Sequence, residues 1–172
     1  MNGLLAGNFD SARLDAAVSI LRIAFGLSLA WHGLNKYRGA NGIAGTTRWF
    51  ASIGMRAPRL NAHTAACCEI SVGLCFAVGL ATPLAATGII ALMLVAIVTV
   101  HWKVGYFVFL PNQGWEYCAS IAAVAAAIGI AGPGRWSLDH LWSLPTAWGV
   151  WSPLIAVAAT VAHLAVMWRP TR

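Results

Sequence analysis

Ionisable side chains interrupt apolar stretches of this sequence at Arg22, His32, Lys36, Glu69, His101, Glu116 and His163. Histidine and glutamate are among the side chains that most often give and take protons in enzymes. Lysine and arginine donate hydrogen bonds and accept none. Brought together, these groups can bind a small molecule through its oxygen atoms and exchange protons with it.

The surrounding composition makes such side chains costly. The chain has 172 residues, of which 59% are hydrophobic and 9% are charged, whereas about 25% are charged in a typical soluble domain. We therefore predict a single all-α domain that is an integral membrane helix bundle. An ionised group near the bilayer centre costs at least ~3 kcal/mol, so the ionisable groups should face protein rather than lipid.

Five apolar segments approach the length of about 20 residues that a membrane-spanning helix needs. They are predicted at 17–36, 62–81, 83–102, 115–131 and 149–168. Two longer connections separate them. The connection 37–61 is predicted to carry a short amphipathic helix around "TTRWFASIGM", and the connection 132–148 a short helix that Ser137 can cap.

Five crossings would place the chain ends on opposite sides of the membrane. We name the side with the loop 37–61 the basic side, because it collects Lys36, Arg38, Arg48, Arg56, Arg59, Lys103, Arg169 and Arg172. The opposite side collects Arg13 and Arg135. An excess of Lys and Arg marks cytoplasmic loops, so we predict a plasma (inner) membrane protein with its N-terminus outside and its C-terminus in the cytoplasm.

The net charge of +6 is therefore interpreted as a topology signal or as a contact with anionic lipid. No nucleic-acid partner is predicted. The four cysteines, Cys67, Cys68, Cys75 and Cys118, form no CxxC pair, and free cysteine behaves as a small apolar residue. A thiol redox site is the less favoured interpretation.

The predicted topology brings ionisable groups from all five helices toward the basic side. Glu69 would lie about 10 Å into the second helix, at 1.5 Å per residue. His32 and Lys36 are one helical turn apart and share a face. The resulting polar site has Glu69, His32 and Glu116 as catalytic, proton-exchanging residues. Its predicted ligand-binding residues are Arg22, Lys36, His101 and His163.

Other interpretations of these residues stay open. A polar residue at a helix end can be an interfacial anchor, and Glu116 could simply stabilise the start of its helix. Glu69 could belong to a buried structural salt bridge with Lys36, Arg22 or a histidine. Histidines and carboxylates also form iron, copper and zinc sites, but no HxxxH or ExxH spacing occurs. Haem or a metal ion is not excluded.

Five motifs occur in the order typical of the DoxX family, to which the chain is similar over residues 17–141. "LRIAFGLSLAWHGLNKY" has R-x-x-x-G followed by H-G-x-x-K, and "CCEISVGLCFAVGLATPLAA" has E-x-x-x-G. "VHWKVGYF", "NQGWEY" and "GPGRWSLD" follow. The matching positions are Arg22, Gly26, His32, Gly33, Lys36, Glu69, Gly73, Thr82, Glu116, Gly132, Gly134 and Asp139. The last three are predicted to form a structural motif.

The resemblance implies a four-helix membrane core in a redox setting. The family is associated with thiosulfate:quinone oxidoreductase activity, and some members are linked to soluble enzymes such as superoxide dismutase and sulfurtransferases. Other membrane or soluble redox proteins are thus expected partners. The segment 149–168 would add a fifth, C-terminal transmembrane helix to the usual four.

Two functions follow as hypotheses. The first is a membrane subunit of a redox system that binds a quinone or similar small redox ligand near the cytoplasmic leaflet, as part of a quinone-linked oxidoreductase. The alternative is a non-catalytic accessory or scaffold subunit of a larger membrane complex. A solute or proton transporter is less favoured, because no helix is clearly broken at mid-membrane.

Overall fold

The chain is mostly helical in the part that the computed structural model describes, residues 3–170, with the backbone alone for residues 3–10. Arg172 lies outside these residues. The helices are α1 (Gly3–Arg38), α2 (Gly42–Ser52), α3 (Pro58–Val78), α4 (Thr82–Ala96), α5 (Glu116–Ala131), α6 (Leu138–Leu141) and α7 (Ser152–Met167). A π-helical turn, Ile97–His101, continues α4, and a 3-10 turn, Ala147–Trp151, precedes α7. The predicted all-α class is confirmed.

Helix α1 begins well before the predicted start at residue 17. The prediction followed hydropathy, which falls at polar residues such as Asn8 and Asp10. A polar residue does not end a helix, and no proline precedes Pro58 in the sequence. Pro58 occupies the first turn of α3, where a missing N–H costs nothing. The left-handed Gly79 ends the same helix.

Four segments are long and apolar enough to cross a membrane in the described part of the chain: Ser11–Arg38, Pro58–Val78, Thr82–His101 and Ala147–Met167. The predicted C-terminal membrane helix therefore has the required length. Helix α5 has 16 residues, or about 24 Å, which is short for a hydrocarbon core of about 30 Å. Five crossings, and the orientation derived from them, stay predictions.

Helices α1 and α3 pack closely because glycines line their contact. A Cβ atom on Gly26 would lie 2.5 Å from the carbonyl oxygen of Gly73, and one on Gly73 would lie 2.6 Å from that of Gly26. Gly33 lies equally close to the backbone of Ala66. Small residues let membrane helices approach in this way. The approach sets the end of α1, with His32 and Lys36, beside Glu69 of α3.

Helix α4 forms the centre of the bundle. It packs against α3, α5 and α7 and buries Ala85, Ala86, Ile89, Ile90 and Met93. The facing side of α5 is rich in alanine and buries Ala125 and Ile128. The basic-side end of α7 is hydrogen-bonded to the connection between α2 and α3, which fixes the position of α7 against the other helices.

The predicted structural motif closes the opposite side of the bundle. Gly132 and Gly134 have positive φ angles of 92° and 77°, which turn the chain after α5. Asp139 is 1% exposed, and its carboxylate accepts hydrogen bonds from the backbone N–H groups of Ala81 (2.6 Å) and Thr82 (2.8 Å). The residue thus caps the start of α4. Ser137 caps α6, as predicted, by accepting from the N–H of His140.

Replacing Asp139 with alanine should lower the free energy of unfolding by about 2 kcal/mol, because two buried N–H groups lose their acceptor. Thermal unfolding in detergent measures the change. Asp139→Asn keeps one acceptor oxygen and is expected to fall between the wild type and the alanine variant. An alanine variant that unfolds with the wild type would show that this cap contributes nothing.

Candidate functional site

A cavity of about 160 Å³ lies inside the bundle toward the basic side. We name it the polar cavity, after the polar side chains that it collects from four helical segments: His32, Lys36, Glu69, His101 and Tyr117. The rest of its lining is mainly apolar, including Leu29, Trp49 and Phe50. The structure thus brings four of the predicted site residues to one space between the helices.

Lys36 and Glu69 form an ion pair in the polar cavity, between Nζ and Oε2. Their side chains are 19% and 11% exposed, respectively. The lysine was one of three partners expected for Glu69. An ammonium group has three N–H donors, so Lys36 can bind Glu69 and still donate to a second oxygen atom. Pairing therefore lowers the free-energy cost of placing a charged hydrogen-bond donor in an apolar bundle.

His101 has hydrogen-bond partners at both ring nitrogens. Nδ1 lies 2.7 Å from the carbonyl oxygen of Gln113, and Nε2 lies 2.7 Å from the hydroxyl of Tyr117. A carbonyl oxygen can only accept, so Nδ1 carries a proton. In the neutral ring, Nε2 then accepts the proton of Tyr117. A second proton on His101 would reverse this bond and release the Tyr117 hydroxyl as a donor.

The π-helical turn Ile97–His101 determines where His101 lies. One turn of π-helix takes in an extra residue, and such turns often occur at functional sites. The sequence predicted one continuous helix over 83–102, so the turn was not anticipated. His101 is buried at its end, against the ring of Tyr117, with ring centroids 5.2 Å apart.

Glu116 lies in a neighbouring groove rather than in the polar cavity. The groove runs between α1 and α5, with a volume of about 580 Å³. It shares His32, Tyr117 and Ile121 with the polar cavity. Oε2 of Glu116 accepts a hydrogen bond of 3.0 Å from the N–H of Val108. Its carboxylate therefore also holds the loop before α5.

His163 lies apart from the other predicted residues. It lines a separate space of about 370 Å³ among α2, α3, α4 and α7, which we name the apolar chamber. Counting residues along the predicted helix 149–168 placed His163 at a membrane depth similar to that of Glu69. Depth in the membrane does not determine the direction of a side chain, and His163 lines the apolar chamber rather than the polar cavity.

Arg22 also lies away from the polar cavity, so the expected contact with Glu69 is wrong. It is 1% exposed, and its Nη2 donates to the carbonyl oxygen of Trp136 (2.6 Å) and to Ser19. The guanidinium of Arg22 contacts Gly79, at the end of α3. Gly79 lies ten residues beyond Glu69, or about 15 Å along the helix axis. Arg22 therefore joins α1 to the loop on the opposite side.

Tyr117 is the site residue that the sequence analysis missed. Tyr117 follows Glu116 at the start of α5, and a tyrosine at a helix end is not unusual enough to indicate a site. The described residues contain no group of three or more His, Cys, Asp or Glu that could hold a metal ion.

The apolar helices and the polar groups enclosed between them define a membrane protein of the helix-bundle class. The DoxX family model matches residues 17–102, which is half of the chain. The chain belongs to the DoxX family. The match includes α3, α4 and the π-helical turn, and the expected similarity over 103–141 lies outside it.

A curated relative supports the same grouping. The chain is 29% identical over 109 residues to a protein of Bacillus subtilis (strain 168) named "Putative oxidoreductase CatD". The similarity covers 63% of this chain and 75% of that protein. No solved structure matches the chain.

Proposed function

We propose that this chain is a membrane subunit of a redox system and that it binds the head group of a quinone in the polar cavity. One observation carries the proposal: the Lys36–Glu69 ion pair and the His101–Tyr117 pair line one cavity among apolar helices. Burying charges is costly unless they are paired. The oxidoreductase name of the Bacillus subtilis relative agrees with a redox setting.

A quinone suits these groups because it is an apolar ring with two carbonyl oxygens, each of which accepts hydrogen bonds. Lys36 can donate to one oxygen through an N–H group that Glu69 does not use. Tyr117 can donate to an oxygen once His101 is protonated, and Glu69 can receive or give a proton. The bound quinone would supply the two-electron chemistry, while these side chains hold it and move protons.

The groove between α1 and α5 suits the movement of protons to and from the cavity. It is lined by Ser28, His32, Glu116 and Ser120 along with apolar residues. His32 borders both spaces. Glu116 and His32 therefore form a route from the groove to the ion pair, which retains the proton-exchange roles expected for both residues.

The same proposal includes the location and partners. The basic side would face the cytoplasm in the plasma membrane, because its loops collect most of the Lys and Arg residues. The head group would then sit near the cytoplasmic leaflet. Electrons would come from a partner redox protein, either in the membrane or soluble.

Binding of menadione, a naphthoquinone without a tail, to the purified chain tests the site. We expect the wild type to bind and His101→Phe to raise Kd about tenfold, because the variant leaves Tyr117 without its partner and removes a proton carrier. His140→Phe is the matched control, since His140 lies on α6 at the opposite side. Equal affinity of the two variants, or no binding by the wild type, would reject the site.

A scaffold role is the second candidate, and one surface favours it. The loop between the π-helical turn and α5 exposes the aromatic side chains of Trp102, Tyr106, Phe107 and Phe109, the last at 76% exposure. The rings of Phe107 and Phe109 stack 5.0 Å apart. Such a surface could dock another protein of a membrane complex. Co-purification of one partner in a fixed ratio, without any quinone binding, would favour this role.

A further inference from the structure

The apolar chamber has no part in the proposed chemistry, and its lining is of a different kind. Its walls include Val72, Leu92 and Val95. Two of its polar side chains have partners within the protein: Asn61 donates to the carbonyl oxygen of Arg56 at 2.6 Å, and Thr160 donates to that of Ala156 at 2.8 Å. Apart from polar groups such as His163, the chamber therefore presents a mainly hydrocarbon surface to anything inside it.

The chamber adjoins the polar cavity. Both are lined by Phe50, Met55, Ala65, Leu92 and Val95. Ligand pockets usually measure about 300–1,000 Å³. The polar cavity, at about 160 Å³, falls below this range and suits only part of a ligand. Together with the chamber, at about 370 Å³, it falls within the range.

Helix α7 supplies one wall of the chamber through Ala159, Thr160 and His163. This helix lies outside the residues that the family model matches. It is nevertheless firmly attached: the N–H of Arg56 donates to Met167 O (2.7 Å), and the indole N–H of Trp168 donates to Ile53 O (2.8 Å). These hydrogen bonds hold α7 in place, so the chamber is a defined feature of the fold.

We propose that the apolar chamber holds the polyprenyl tail of the ligand whose head group occupies the polar cavity. The proposal rests on the proposed quinone site. The groove between α1 and α5 is the competing path, but Ser28, Glu116 and Ser120 make it the more polar of the two. A hydrocarbon tail is stabilised by apolar burial, by about 0.8 kcal/mol per CH₂ group, so the tail belongs in the chamber.

A photoreactive probe locates the tail directly. A naphthoquinone that carries a diazirine on an isoprenoid tail is bound to the full chain in detergent and irradiated, and the labelled peptides are identified by mass spectrometry. Labels on Ala159, Thr160 or His163 of α7, or on Val72 or Ala91, support the proposal, because all five residues line the chamber. Labels on Ala24, Phe25 or Ser28, which line the groove but not the polar cavity, overturn it.

Filling the chamber provides a second test. Ala159→Trp should raise the Kd of menaquinone-4, which has a tail, about tenfold or more, while the Kd of menadione, which has none, stays within about twofold. Ala158→Trp is the matched control, because Ala158 and Ala159 are both exposed on α7 but only Ala159 lines the chamber. Ala159→Leu repeats the test with a smaller side chain, which guards against misfolding of the tryptophan variant.

The outcomes separate the two proposals. Unchanged menaquinone-4 affinity in both Ala159 variants would reject the tail chamber and leave the head-group site intact. An equal loss of affinity in the Ala158 and Ala159 tryptophan variants would also reject it. Failure of the wild type to bind either quinone would reject the head-group site and the chamber together.

Discussion

Gly26→Ala should lower the free energy of unfolding by about 3 kcal/mol, although alanine is the better helix former. The new Cβ would lie 2.5 Å from Gly73 O and 2.7 Å from Ala77 N. Both atoms belong to the backbone of α3, so no side chain can rotate away and the helices must separate. Unfolding of the purified chain in mixed micelles of increasing denaturing detergent measures the loss.

The matched control is Gly129→Ala on α5. There the nearest atoms to a new Cβ are the side chains of Ala86 at 3.1 Å and Ser152 at 3.3 Å. Small shifts can accommodate this contact, and the gain in helix propensity offsets its cost. If the two variants unfold at the same detergent fraction, the close approach of α1 and α3 does not determine stability.

Lys36→Met should also cost about 3 kcal/mol, because it leaves the Glu69 carboxylate without its cation among apolar helices. Methionine keeps much of the length of the lysine side chain, so the loss reflects the charge more than the packing. The same unfolding assay applies. Lys103→Met is the control: Lys103 lies on the same side of the bundle and is exposed, and we expect its replacement to change stability by less than about 0.5 kcal/mol.

The double variant Lys36→Met with Glu69→Gln separates pairing from the cost of an unpaired charge. Removing both charges should recover most of the stability lost in Lys36→Met, since the remaining amide is neutral. A double variant no more stable than Lys36→Met alone would mean that the ion pair is not the reason for the loss. Quinone binding should be absent from the double variant even where stability returns.

Much of the fold could be predicted because membrane helices leave strong signals in sequence. Apolar segments located the cores of α1, α3, α4, α5 and α7, and Ser137 correctly predicted the short helix α6. The predicted first residues of the helices were less accurate. The prediction began α1 at residue 17 because hydropathy measures the fit to lipid, whereas the helix itself continues through polar residues as far as Gly3.

For the candidate site, the sequence could predict only how deep in the membrane each residue lies. Counting residues along antiparallel helices correctly indicated that His32, Lys36, Glu69 and His101 approach one another. It could not give the direction of each side chain around its helix, and so it misplaced His163. Arg22 was misplaced for a different reason: its main partner is a backbone carbonyl, that of Trp136, and a backbone acceptor leaves no trace in a sequence.

The π-helical turn Ile97–His101 also affects how this chain should be aligned with its relatives. A relative that continues the preceding helix in α-helical form would have one residue fewer before its equivalent of His101. An ungapped alignment would then pair His101 with a residue that faces another direction. Correspondence of this histidine between relatives should therefore be judged after a single-residue gap has been tested between positions 97 and 101.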